Sequence, residues 1–444
     1  MTFLNRVVVA LGACCVFSSA VVANPVEVEV WHTLRAAHKS EFEKLAKQFN
    51  SDQREVTVVL KAFPDQAALR SEEARALFAK KKPALIQLED NRSPEVIAQH
   101  KDIVPLHQLL KQFPIKDSKW FLNQTTGFMR DAKGQLTAFP FMAEIPVMFY
   151  NLDGYKKAGL NPSQPAKTWP ALQDHLLALR DKAHYECPFA ISHQVNTHLE
   201  NLAPINGSLY VTPTNGLDNA RSPQLNLSDA VFMRHISIMV SWKRSELLMH
   251  NGNGNEADKM FADNRCAVIT TTSGALAQMQ NTRGLSFGVA PMPFYDQVVP
   301  KPGSPFVSGS ALWAVAGQSK EHNKATMAFL AFLSEPAIAT AWHQRTGFLP
   351  LTDAAFRSSE GGFYDRIPGA KQVVDSMREI NDKNSRGFRL RNYPRIEPIL
   401  SGELDAALSG KTPPVAALTM AQDQSVRISN EGLPPAKPAA PARR

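Results

Sequence analysis

The sequence predicts an α/β protein with two domains, each a mostly parallel sheet flanked by helices. Strand and helix patterns alternate along the chain, which is typical of parallel strands joined by crossover helices. The 444 residues are too many for one ordinary domain and fit two of about 200 residues each. A content of 44% hydrophobic and 20% charged residues is typical of a globular protein.

The first part of the chain repeats a strand and helix unit. Alternating apolar and charged residues predict the strands, and apolar residues at helical spacing predict the helices. The predicted strands are 25–32, 55–62 and 84–88, and the predicted helices are 36–50 and 66–80. Because ligands of such sheets bind beyond the carboxyl ends of the strands, residues 31–32, 63–64 and 89–90 are expected at the edge of a pocket.

The central segment begins with an apolar run at 139–149 that predicts one buried strand. A short helix at 152–158 is expected to end at Gly159. Thr168 is expected to cap the next helix, whose apolar face carries Trp169, Leu172, Leu176 and Leu179. Further strands are predicted at 261–272, 287–292 and 311–315, and a further helix at 323–334.

The two ends of the chain and its cysteines indicate export. Residues 1–23 are typical of a signal peptide cleaved after Ala23, which predicts a periplasmic protein; a lipobox-like run ending at Cys14 is the alternative. Removal of the leader leaves Cys187 and Cys266, for which we predict a disulfide rather than a metal site or a nucleophile. The proline-rich segment 433–444 is predicted to be a disordered tail.

The net charge of +8 does not indicate nucleic-acid binding, because no basic stripe alternates with aromatic residues. No cofactor is expected. His193 and His198 lack the carboxylate and the spacing of a helical zinc pair, so no metal is expected and the loop 192–198 is predicted to be a polar pocket loop. No Gly-x-Ser-x-Gly, His-Glu-x-x-His or phosphate loop is present, so no catalytic residues and no enzyme activity are predicted.

The run from the strand through Tyr150-Asn151, Gly159-Leu160 and Thr168-Trp169 resembles extracellular solute-binding proteins of ABC importers. Further matching residues are Trp31-His32, Pro83-Ala84, Pro140-Phe141, Pro146, Cys187, Cys266, Thr271-Thr272-Ser273-Gly274, Trp342-His343-Gln344, Thr346-Gly347, Leu349-Pro350 and Arg386-Gly387-Phe388-Arg389-Leu390. Together they are similar to the subfamily that serves importers of sn-glycerol-3-phosphate.

The resemblance implies a two-lobed periplasmic-binding-protein fold of type II with its ligand cleft at the hinge. The implied lobes are 24–143 plus 304–346 and 144–303 plus 347–432, with crossings near 140–146, 300–308 and 344–350. It also implies a monomer that captures glycerol-3-phosphate or a glycerophosphodiester such as glycerophosphocholine and delivers it to the membrane permease of an ABC importer.

The binding residues that the resemblance implies are only partly retained. Arg389 and Ser273 are expected to hold phosphate oxygens, and the backbone N–H of Gly309 to approach the ligand. Asp90 falls where the family has glutamate and is expected to accept from glycerol hydroxyls. The departures are Pro64 and Phe348 in place of tyrosine, Glu144 in place of serine, and the loss of two tryptophans from the loop 192–198.

Glu144 changes the expected chemistry of the pocket, because a carboxylate repels a small dianion. One hypothesis is that Glu144 receives a cationic head group, with Phe141, Phe348 or Tyr150 nearby for a cation–π contact. The alternative is that Glu144 pairs with an arginine of one of the lobes, for example Arg386 or Arg391, and never meets the ligand. A rival function is carbohydrate binding in a diverged pocket, which the lost tryptophans and the retained Arg389 disfavour.

Overall fold

A computed structural model describes residues 24–89, 97, 100–116, 119–122, 126–218, 220–250, 252, 254–377 and 383–431. The predicted signal peptide, the predicted site residue Asp90 and the predicted tail lie outside these residues.

The strands form two larger sheets and one small sheet. In chain order they are β1 (Val26–His32), β2 (Val56–Ala62), β3 (Leu85–Leu88), β4 (Ile103–Val104), β5 (Phe139–Glu144), β6 (Pro146–Asn151), β7 (Cys187–Ile191), β8 (Val211–Thr212), β9 (Gln224–Leu225), β10 (Leu248–Met249), β11 (Cys266–Thr272), β12 (Phe287–Pro291) and β13 (Ser308–Val315).

Helices flank these strands. They are Ala36–Asp52, Gln66–Leu69, Glu72–Lys80, Leu106–Gln112, Leu152–Lys157, Trp169–Asp181, Leu202–Ile205, Ala230–Arg244, Glu256–Ala262, Leu276–Asn281, Lys320–Ser334, Pro336–Thr346, Asp353–Glu360, Phe363–Arg366, Ala370–Asp375, Tyr393–Leu408 and Pro414–Asn430, with a π-helix at Asn196–Glu200 and 3-10 turns at Thr214–Gly216, Ser273–Ala275 and Lys383–Ser385.

The first sheet has the order β2-β1-β3-β13-β4, with β5 also paired to β13. Strands β1, β2 and β3 run parallel, and β13 is antiparallel to its neighbours. The second sheet has the order β10-β7-β11-β6-β12, in which β6 is antiparallel to both β11 and β12. The predicted α/β class with two sheet-based units is therefore confirmed, although each sheet is mixed.

The chain passes between the two sheets at Ile145. The prediction of one strand over 139–149 is wrong, because β5 belongs to the first sheet and β6 to the second. Both strands are buried on both faces, so the apolar run gives no sign of the break. Ser273 N donates to Ile145 O at 2.8 Å and fixes this crossing. The implied lobe boundaries as a whole remain a prediction.

Local capping explains two other features of the helices. Thr168 accepts a hydrogen bond from Ala171 N as predicted, and Trp169 and the leucines that follow it are buried. The predicted helix 66–80 is instead two helices, because Ser71 caps a new helix by accepting from Ala74 N. The predicted strand 261–272 starts only at Cys266, since helix Glu256–Ala262 precedes it.

The predicted disulfide is present. Cys187 and Cys266 are register partners on the parallel neighbours β7 and β11, with an S–S distance of 2.09 Å. Within the described ranges, no single helix has the length and hydropathy of a membrane span; the pair Lys320–Ser334 and Pro336–Thr346, bent by 67° at its break, has them together.

Candidate functional site

A cavity of about 350 Å³ opens between the two sheet-based units. The first unit contributes Thr33, Arg35, His38, Arg70, Gln87 and Glu89 to its wall. The second contributes His193, Asn196, Glu200, Thr272, Tyr393 and Glu397. Glu144, Gly309 and Phe348, from segments at or near the crossings between the units, also line it. The wall is therefore mostly polar and carries charges of both signs.

Glu144 is part of this wall, at a place where two glycines leave room for its side chain. A Cβ atom on Gly274 would lie 2.5 Å from Glu144 Oε2, and one on Gly309 would lie 3.2 Å from its Cγ. Gly309 also has φ of 100°, and a Cβ there would lie 2.1 Å from Met142 O. Glycine is required at position 309 by its φ and by the nearby backbone, and at position 274 it leaves the space that the Glu144 carboxylate occupies.

Burial raises the pKa of Glu144, while the charge of Arg35 and the nearby Thr272 hydroxyl and Gly274 N–H oppose that shift. Among the described residues, no cation lies within 4 Å of its carboxylate. Arg386 instead pairs with Asp218, at 3.3 Å between Nη1 and Oδ1, so the expected Glu144–Arg386 pair is wrong. Arg391 is exposed and does not line the cavity.

Of the three aromatic residues predicted to lie near Glu144, Phe348 lines the cavity. Its ring centroid lies 4.5 Å from that of His38, whose Nε2 lies 2.9 Å from Gly274 O. Phe141 instead stacks on Trp342, and the Tyr150 hydroxyl donates to Pro162 O. Those two side chains are therefore part of the core rather than of the cavity wall.

Ser273 and Arg389 do not line the cavity. Ser273 Oγ lies 3.4 Å from Ile145 N and serves the crossing between the sheets. The Arg389 guanidinium donates to Gly127 O at 2.7 Å, to Arg130 O at 3.2 Å and to Phe388 O at 3.0 Å. The structure thus brings Glu144, Gly309 and Phe348 together and places these two predicted residues behind the wall. Asp90 lies outside the described residues.

The cavity contains residues that the sequence did not single out. Arg35 and His38 follow residues 31–32, which were expected at the edge of the pocket beyond β1. The prediction from strand ends therefore found the right region, but the residues that line the cavity lie a few positions later. In the loop 192–198, His193 and Asn196 line the cavity, as expected of a pocket loop. His198 is instead buried, with its Nδ1 2.8 Å from His235 Nε2. Glu200 ends the π-helix and accepts from the Tyr393 hydroxyl at 2.5 Å.

Several buried polar atoms of the second unit face or adjoin the cavity without a hydrogen bond within the described part of the chain. They are His193 Nε2, Asn196 Oδ1, Thr272 Oγ1, Thr271 Oγ1, Ser192 Oγ and both carboxylate oxygens of Asp258. No cluster of three or more metal-ligating side chains occurs among the described residues. Buried polar atoms that the fold leaves unpaired are available to a polar ligand.

Two α/β units that share a polar cavity define a protein that binds a solute between them. Residues 44–364 match the family of bacterial extracellular solute-binding proteins, and the chain belongs to that family.

Two curated relatives have the same printed description, sn-glycerol-3-phosphate-binding periplasmic protein. The one from Salmonella typhimurium is 31% identical over 407 residues, covering 90% of this chain and 92% of the relative. The one from Yersinia enterocolitica is 30% identical over 426 residues, covering 94% and 96%.

Solved structures share the fold. UgpB from Mycobacterium tuberculosis in complex with glycerophosphocholine superposes with a TM-score of 0.71 at 18% identity, covering 91% of this chain and 98% of that one. The sugar-binding protein MalE from Xanthomonas citri gives a TM-score of 0.68 at 17% identity, covering 91% and 97%.

Proposed function

We propose that this protein is the solute-binding component of an ABC importer and captures a glycerophosphodiester with a cationic head group, such as glycerophosphocholine. The relatives from Salmonella and Yersinia are named for sn-glycerol-3-phosphate, which supports a glycerol phosphate as the common part of the ligand. The position of Glu144 in the cavity supports the cationic head group.

The charge of the ligand decides between the two phosphate classes. Glycerol-3-phosphate is close to a dianion at neutral pH, whereas glycerophosphocholine carries one negative and one positive charge. A carboxylate in a partly dry cavity repels the dianion and attracts a quaternary ammonium group. Glu144 has no cation within 4 Å among the described residues, so its charge is available to the ligand, and Phe348 offers an aromatic neighbour.

The first test is calorimetric titration of the mature protein, freed of co-purified ligand, with glycerol-3-phosphate, glycerophosphocholine and maltose. We expect glycerophosphocholine to bind at least about tenfold more tightly than glycerol-3-phosphate, since one ion contact is worth about 1.4 kcal/mol or more in a partly buried site. Binding of maltose alone would replace this proposal with the carbohydrate function.

A Glu144→Gln variant separates the head group from the phosphate. We expect it to weaken glycerophosphocholine binding by about tenfold and to strengthen glycerol-3-phosphate binding, because the removed charge acts on the two ligands with opposite sign. Glu43→Gln is the matched control, since Glu43 is 54% exposed and lies outside the cavity wall. Equal changes for both ligands in Glu144→Gln would contradict the role of Glu144 as the cation site.

The proposal includes export and delivery. The relatives are described as periplasmic, which supports export of this chain. In this proposal the signal peptide is cleaved after Ala23 and the protein docks on a membrane permease as a monomer. Mass spectrometry of the exported protein distinguishes an N-terminus at Asn24 from a lipid-modified Cys14. Incubation with glycerophosphocholine should leave the diester intact, because the proposed role is capture without catalysis.

A further inference from the structure

Arg35 connects the two sheet-based units across the cavity. It follows β1 of the first sheet and directly precedes helix Ala36–Asp52. Its guanidinium lines the cavity and its Nη1 lies 3.8 Å from Asp258 Oδ2. Asp258 belongs to helix Glu256–Ala262, which packs on β11 of the second sheet. The ion pair therefore joins one unit to the other.

Asp258 is a buried carboxylate that depends on this pair. Its side chain is 1% exposed, and none of its contacts with described residues reaches hydrogen-bond geometry. Burial raises its pKa, while the adjacent hydroxyls of Thr271 and Ser192 and the charge of Arg35 lower it. A buried charge is costly unless it is paired, and Arg35 is its ion-pair partner within the described residues.

Arg35 keeps its hydrogen-bond donors available to a ligand. At 3.8 Å its contact with Asp258 is too long for a hydrogen bond, and its guanidinium makes none to the described residues. A planar guanidinium offers two parallel N–H groups to phosphate oxygens. Arg70 also lines the cavity but has no ion-pair partner in the described ranges to fix its position. Arg389 uses its donors on backbone carbonyls.

We propose that Arg35 is the anion anchor of this chain and that Asp258 is the positioning residue that holds its guanidinium in the cavity. This inference rests on the proposed function, which supplies a phosphate as the ligand's anion. Because the pair spans the two units, a phosphate bound at Arg35 favours the arrangement in which the units are together. Asp258 acts on the ligand only through Arg35.

The test uses the mature full chain and its Arg35→Gln, Asp258→Asn and double variants, titrated with glycerophosphocholine and glycerol-3-phosphate. Arg35→Gln should weaken both phosphates by about 30-fold or more, because both carry the group that it anchors. Asp258→Asn should weaken both by about three- to tenfold. The double variant should bind no more weakly than Arg35→Gln, and Arg35→Lys should recover part of the affinity.

Arg345→Gln is the matched control, because Arg345 is 58% exposed and pairs with Glu41 outside the cavity wall. Thermal unfolding of each variant separates lost binding from lost folding. If the wild type binds and Arg35→Gln binds both phosphates with an affinity within about twofold of the wild type, Arg35 is not the anion anchor. The proposed function would still stand. The positioning role of Asp258 is overturned if the losses of affinity from the two single substitutions add in the double variant. It is also overturned if Asp258→Asn has a lower unfolding temperature but normal affinity. A wild type that binds neither phosphate overturns both proposals.

Discussion

Thr270 and Thr271, adjacent residues that point to opposite faces of the strand β11, have buried hydroxyls in opposite surroundings. On one face Thr270 Oγ1 lies 2.8 Å from His198 Nε2, His198 Nδ1 lies 2.8 Å from His235 Nε2, and His235 Nδ1 lies 2.9 Å from the Tyr295 hydroxyl. Both ring nitrogens of each histidine are thus paired. On the other face Thr271 Oγ1 lies close enough to Asp258 to lower the pKa of its carboxyl group, but neither Thr271 Oγ1 nor a carboxylate oxygen of Asp258 has a well-formed hydrogen bond within the described residues.

Alternation along the strand explains how two environments arise from adjacent residues, because successive side chains point to opposite faces. Val268 packs in the core that contains Trp169, whereas Ile269 packs in the core that contains Phe261. Burial without a partner costs free energy, so a fold retains it where the group serves a ligand. The Thr270 network is therefore structural, whereas Thr271 and Asp258 are to be connected with binding, together with Thr272, whose unpaired hydroxyl lines the cavity from the Thr270 side of the strand.

The largest expected effect is a loss of stability in acid, caused by the buried histidines of the network that contains Thr270. Burial lowers the pKa of His198 to about 3, and burial together with the neighbouring His198 lowers the pKa of His235 well below its usual value. An unfolded chain binds these protons near pH 6.5, so stability is complete above that pH and falls as the pH drops towards 4. Each such histidine removes about 1.4 kcal/mol of unfolding free energy per pH unit.

Urea unfolding between pH 7 and pH 5 measures this loss. A His198→Asn variant should be less stable at pH 7 and should lose stability less steeply with acid, since one titrating group is gone. His100→Asn is the control, because that side chain is 61% exposed. A wild type equally stable at pH 7 and pH 5 would contradict the burial of neutral histidines.

A matched pair of substitutions compares the two faces directly. Thr270→Val leaves His198 Nε2 buried without a partner and should lower the unfolding free energy by about 1–3 kcal/mol, with ligand affinity unchanged. Thr271→Val removes a hydroxyl without a well-formed hydrogen bond and should lower the unfolding free energy by less than Thr270→Val does, while altering affinity through Asp258. Urea unfolding and calorimetric titration measure both. Equal stability losses would show that the faces do not differ.

The sequence predicted most of the elements, because their signals are local. The Thr168 cap and the buried face that begins at Trp169 depend on residues a few positions apart. The break at Ile145 could not be predicted, since the apolar run continues unchanged while the chain moves from one sheet to the other. The hydrogen bond that fixes this break comes from Ser273, which is distant in sequence.

The residues that line the cavity could be predicted where they lie at or near the crossings between the two units. Glu144, Gly309 and Phe348 were found through the resemblance, and the structure places all three in the wall. Arg389 has the same local sequence context as in the family, but its side chain turns to backbone carbonyls. The pair of Arg35 and Asp258 joins two distant segments and depends on burial, which no local pattern encodes.

The smallest expected effect is the pH dependence of ligand affinity. Burial raises the pKa of Glu144 above its usual 4.5, so the carboxylate takes up a proton at a higher pH than an exposed glutamate does. Glycerophosphocholine has no group that titrates there, so its affinity should fall a few-fold as the pH drops from 7 towards 5. In Glu144→Gln the affinity should be lower but independent of pH over that range. A pH dependence that persists in Glu144→Gln would assign the titration to another cavity carboxylate, with Glu89 first, because burial raises the pKa of Glu89 too.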